Sequence, residues 1–128
     1  MTTVVFYCFP DGALRGFAAK GHAGEAETGQ NIVCAAISAI LQTTILGVQR
    51  IAGDDADIQA DESAAAMHLM LQAPPSQAAD VLLKTAYEGI KDIAAQYPEQ
   101  CQVARRTPKL PGHDCANCQH PCGQKSSE

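Results

Sequence analysis

Residues 3–9 read TVVFYCF, a run of β-branched and aromatic side chains, and the Pro10-Asp11-Gly12 turn signal separates it from ALRGFAAKG. This pattern predicts a β-hairpin. Beyond a loop over 24–30, the run IVCAAISAILQTTILGVQRIA is apolar almost all round its helical wheel, which predicts a core helix lying on a sheet. The helix begins near Asn31 and is stopped by Gly53, Asp54 and Asp55. DIQADESAAAMHLMLQ then gives two short strands about Glu62-Ser63, with Met67, Leu69 and Leu71 on one face and His68 on the other. Pro74-Pro75-Ser76 breaks the chain and caps a second, amphipathic helix, in which Val81, Leu82, Ala86, Ile90, Ile93 and Tyr97 recur at three- and four-residue spacing. Pro98 ends that helix and CQVARR supplies a last strand. The order is ββαββαβ, an α+β domain over residues 1–106 with a five-stranded sheet and two helices. From Thr107 the composition shifts, and 107–128 form a Cys/His-rich C-terminal tail. Two helices cannot cover both faces of five strands, so one face is expected to meet a partner, or the domain to form a homodimer.

The chain has 128 residues, enough for one hydrophobic core. Hydrophobic residues at 46% with 18% charged exclude wholesale disorder. The opening MTTVVFYCFPDG has no basic segment and no cleavage site, and no stretch is read as reaching the ~20 apolar residues that span a bilayer. The expectation is a cytoplasmic protein without membrane contact. Thiols stay reduced there, so the six cysteines are buried, metal-binding or catalytic rather than disulfide-bonded. A net charge of −5, with nine Lys and Arg scattered along the chain, argues against a direct nucleic-acid surface and suits a basic partner.

Candidate chemistry concentrates in GHAGEAETGQNIVCAAIS, residues 21–38. His22 is placed at a strand end and Cys34 in the first turn of the core helix, both facing one loop. The positive end of the helix macrodipole and a neighbouring imidazole each favour the thiolate, which makes Cys34 an activated nucleophile. Gly21, Gly24 and Gly29 let backbone approach a substrate, or let the loop over 24–30 close as a lid. The plain alternative is that Cys34 is one more small buried residue and His22 merely ends a strand. Cys8 is read as core.

The string Gly21-His22-Ala23, then Gly29, Ile32-Val33-Cys34-Ala35-Ala36 and Ser38, closely resembles the ribosomal-processing cysteine protease family, Prp, in which G-H-A is followed by a loop and G-x-D-x-V-C-A-A-x-S. The resemblance implies an α+β homodimer with a Cys-His dyad, needing no cofactor for catalysis, that removes an N-terminal extension from large-subunit ribosomal protein twenty-seven. On that basis Cys34 is the nucleophile, His22 the general base and acid, and Gly21, Asn31 and Ser38 are supporting residues. Backbone amides at the helix start would hold the oxyanion. Asn31 stands where the family pattern has Asp; it either accepts a hydrogen bond from a ring N–H, as in Cys-His-Asn arrangements, or caps the helix. The acids Asp54, Asp55, Asp57, Asp61 and Glu62 either attract a basic ribosomal-protein N-terminal peptide or form a solvated turn.

The tail reads HDCANCQHPCG, with Cys115, Cys118 and Cys122 as C-x2-C-x3-C and His113 and His120 interleaved. Such a set can hold zinc, with a fourth ligand from His113, His120 or Cys101, or an iron–sulfur cluster. Two rival readings follow. One is a non-enzymatic metal or redox module on the same fold, working through Cys115 and Cys118. The other is a ribosome-assembly binding protein without turnover.

Overall fold

The computed structural model describes residues 1–21, 28–61 and 66–108, with backbone alone at 28–31. Its elements follow the expected ββαββαβ order: β1 (Thr2–Cys8), β2 (Leu14–Lys20), α1 (Thr28–Leu46), β3 (Ala56–Asp61), β4 (Ala66–Leu71), α2 (Gln77–Gln96) and β5 (Cys101–Arg106). The strands form one mixed sheet in the order β3-β4-β2-β1-β5. All pairs are antiparallel except β1 with β5, which run parallel in the register Thr2↔Cys101 to Tyr7↔Arg106. The parallel pair follows from α2, which carries the chain from one side of the sheet to the opposite edge.

Alternation along the strands sets the two faces. Val4, Phe6, Cys8, Phe17, Leu69 and Leu71 are buried in one core with Val33, Ile37, Leu41 and Ile45 of α1 and Leu83, Ala86 and Ile90 of α2. Both helices therefore pack on the same face. Phe6 is central: its ring lies 5.7 Å from that of Phe17 and meets Tyr87 edge-on at 5.0 Å. The intervening Thr3, Val5, Tyr7, Ala18, His68 and Met70 are only half-buried. His68 lies on that second face as expected, 3.4 Å from Asp57. Cys8 is core, and its sulfur accepts a hydrogen bond from Arg105 Nε at 3.1 Å.

Four local expectations change. The first helix starts at Thr28, not near Asn31, so residues 28–30 belong to the helix rather than the preceding loop. Its C-terminal end widens into π turns over Gly47–Ala52, closed by the Gly53 N–H donating to the Val48 carbonyl, with Gly53 at φ 76°. On α2 the buried stripe is Ala79, Leu83, Ala86 and Ile90, while Val81 and Tyr97 are 56% and 45% exposed. The true stripe recurs at four, three and four residues, and the small Ala79 in its first turn carries little hydrophobic signal. Finally, Ile32–Ala52 is by length and composition apolar enough to cross a membrane, contrary to the sequence reading. In this fold the run is the core helix, whose Val33, Ile37, Leu41, Ile45 and Val48 are buried. The turn about Glu62-Ser63 lies outside the described residues.

Candidate active site

A groove of 530 Å³ runs between α1 and the edge of the sheet, within the size range of small-molecule and peptide pockets. One wall is a stripe of α1, Cys34, Ser38, Leu41 and Ile45, with Ile37, Gln42 and Leu46 beside it. Residues four and three apart share a helix face, so the stripe follows from helical geometry. The opposite wall takes Thr2 and Ala19 from β1 and β2, Gly21, and Ile58, Ala60, Asp61, Ala66 and Met67 from β3 and β4. From Cys34 to Leu46 the groove follows about 18 Å of helix at 1.5 Å per residue. Cys34 sits at its N-terminal end and the lining beyond is mainly apolar. The arrangement suits an extended, apolar segment with its reacting bond beside the sulfur.

Cys34 is a half-buried free thiol. Its Sγ lies 3.2 Å from Thr2 Oγ1, a hydrogen bond in which either group can donate. Across the β1–β5 ladder Thr2 is paired with Cys101, a second free thiol that is fully buried. Burial, and then the charge of Cys34, push the Cys101 thiol above the ordinary thiol range. One thiol bonds the Thr2 hydroxyl and the other lies across the ladder from Thr2, and the half-buried Cys34 lines the groove. Gly21 closes this end: a Cβ there would lie 2.7 Å from Thr2 Oγ1 and 3.1 Å from its methyl group.

Of the residues singled out in the sequence, Gly21, Cys34 and Ser38 come together on the groove. His22 and the rest of the loop, 22–27, lie outside the described residues, as do the tail residues His113, Cys115, Cys118, His120 and Cys122 with their zinc or iron–sulfur reading. Two placements are corrected. Asn31 is the fourth residue of α1 and therefore not its N-cap. Cys34 is the seventh residue and stands in the second turn, where the macrodipole, concentrated in the first turn, favours the thiolate less. The acids divide as well. Asp54 accepts hydrogen bonds from Ser76 N and Oγ at 2.9 and 2.6 Å, Asp57 lies against His68, and Asp61 lines the groove. Glu62 lies outside the described residues. Among the described residues no three His, Cys, Asp or Glu side chains cluster as metal ligands. Sequence reasoning missed Thr2 and gave Cys101 only a metal role, because their adjacency arises from the parallel register of β1 with β5.

Known proteins resemble this chain over most of its length. The family model described as cysteine protease Prp matches residues 1–102. The ribosomal processing cysteine protease Prp of two Staphylococcus aureus strains is 25% identical over 103 residues, covering 80% of this chain and 97% of the relative. Among solved structures, the essential ribosomal processing protease Prp from S. aureus with a covalently linked product peptide superposes with a TM-score of 0.74 at 24% identity. That match covers 83% of this chain and all of the other. A Streptococcus mutans protein superposes with a TM-score of 0.75 at 25% identity, covering 84% of this chain and 99% of its own. The groove is lined by a half-buried free thiol, and, with the family model matching residues 1–102, the chain belongs to the cysteine protease Prp family.

Proposed function

We propose that this chain is a cysteine endopeptidase that removes an N-terminal extension from large-subunit ribosomal protein twenty-seven, acting in the cytoplasm as a homodimer. The observation that carries the reading is the half-buried Cys34 thiol at one end of an apolar, peptide-sized groove. Support for a peptide substrate comes from the S. aureus relatives whose structures hold a product peptide and a substrate peptide.

In this mechanism His22 takes the Cys34 proton, and the thiolate attacks the scissile carbonyl of the peptide in the groove. The first four amides of α1, at 28–31, have no acceptor within the helix and are the proposed donors to the oxyanion. His22 then gives its proton to the leaving amine. A water deprotonated by His22 hydrolyses the thioester and frees the enzyme. Asn31 acts by accepting a hydrogen bond from the imidazole ring N–H, in place of the family's Asp.

The test is cleavage of a peptide spanning the ribosomal-protein extension. Cys34→Ser is expected to stay folded and to lose at least about a thousand-fold in turnover, since the hydroxyl is far harder to ionise than the thiol. His22→Ala is expected to abolish turnover while slow alkylation of Cys34 persists. Asn31→Asp raises turnover if residue 31 orients His22. Full turnover by a well-folded Cys34→Ser protein would overturn the assignment.

A further inference from the structure

We propose that Thr2 is a positioning residue for the nucleophile: its hydroxyl donates to the Cys34 sulfur once that sulfur is a thiolate and holds it toward the groove. The inference rests on Cys34 being the nucleophile and adds a residue outside the family motif at 21–38.

Three observations converge on Thr2. Its Oγ1 is 3.2 Å from Cys34 Sγ, a hydrogen bond. The residue is only 6% exposed, so bulk water has little access to the hydroxyl. Its backbone is fixed, with the amide donating to the Gln100 carbonyl at 3.0 Å and the Cα in register with Cys101. A β-branched side chain on a paired strand has few rotamers, which fixes the oxygen relative to the sulfur. With the thiol protonated either group can donate. After His22 removes the proton the sulfur has only lone pairs, so the hydroxyl becomes the donor, and a hydrogen bond to an ionised partner is the stronger kind.

Gly21 fits the same arrangement. A Cβ at 2.7 Å from Oγ1 is closer than side chains tolerate, so with any other residue there either the Thr2 side chain or the backbone at position 21 must shift. The other titratable groups facing this end, among the described residues, are Cys101 from β5 and Asp61 from β3. Burial, and then the charge of Cys34, hold the Cys101 thiol above the ordinary thiol range. No variant below alters Asp61 or Cys101, so the comparison among them isolates the Thr2 hydroxyl.

The experiment measures iodoacetamide alkylation of Cys34 against pH, assigned by mass spectrometry, beside peptide cleavage, in the full chain and in Thr2→Val, Thr2→Ala and Thr2→Ser. Removing the hydroxyl is expected to move the alkylation midpoint up by about one pH unit, the scale of one hydrogen bond to a charged group. Below the midpoint kcat falls while KM changes little. Thr2→Ser is expected to restore the wild-type midpoint, which a purely structural role for Thr2 does not require. An unchanged midpoint in whichever of Thr2→Val and Thr2→Ala is folded overturns the role of Thr2 and leaves the protease reading standing. Wild-type protein that cleaves the peptide with Cys34 fully alkylated overturns both.

Discussion

Cys34 bonds the Thr2 hydroxyl and Cys101 pairs with Thr2 across the β1–β5 ladder, yet one lines the groove and the other is sealed in the core. The raised Cys101 thiol carries a consequence for stability. As pH climbs through the ordinary thiol range, the unfolded chain loses this proton before the folded one does, so unfolding is favoured increasingly until the folded group ionises too. Below that range both states hold the proton and no effect remains. Thermal unfolding of Cys101→Ala should therefore show a weaker loss of stability on the alkaline side than wild type, beneath a pH-independent offset from the lost packing. Gly21 gives a second measurement. If a side chain there acts by displacing Thr2, Gly21→Ala and Thr2→Val should be non-additive in the alkylation midpoint. Additive shifts would assign Gly21 to the loop instead. Gly21, Cys34 and Ser38 were legible because they sit in one contiguous motif, whereas Thr2 reaches the site through strand pairing that local sequence does not encode.

Between elements, the junction of β3 and α2 is held by a small polar lock. Ser76 caps α2 by accepting from the Ala79 amide at 3.1 Å, and Asp54 binds the same serine through backbone and hydroxyl. Ser76→Ala removes the cap and one bond to Asp54 and should lower stability by about 1–2 kcal/mol in denaturant melts, with cleavage retained. The Pro-Pro-Ser signal made this cap readable in advance. The start of α1 was not readable in the same way, because Gly29 in its first turn is a poor helix former and Asn31 is a good capping residue. The site depends on that difference of three residues, since it moves Cys34 from the first turn to the second. The hydrophobic run that identified α1 likewise gave no sign of the π turns near its end, whose Gly53 adopts a left-handed backbone.

For the molecule as a whole, the succession of strand and helix periods gave the element order, while the sheet order and the parallel β1–β5 pair emerged only in the structure. Both helices occupy one face, and the second bears Val5, Tyr7 and Met70 half-buried among small and polar residues. Light scattering at micromolar concentration should give twice the monomer mass, and a stable monomer would reject the homodimer proposal. If the tail holds metal, protein purified anaerobically should carry close to one zinc, or a chromophoric cluster, per chain. Truncation at Lys109 should remove the metal and leave peptide cleavage intact, because every described groove residue lies upstream. Metal-free protein would end that proposal.

Pairing β1 with β5 also has a meaning in time. The first strand synthesised keeps one edge unpaired until nearly the whole domain has been translated, and contacts between distant parts of a chain form slowly. During that interval Thr2 lacks the carbonyl that fixes its amide, and the floor beside the Cys34 sulfur is incomplete. The contacts that fix Thr2 beside the Cys34 sulfur are therefore completed only when β5 has been made and paired.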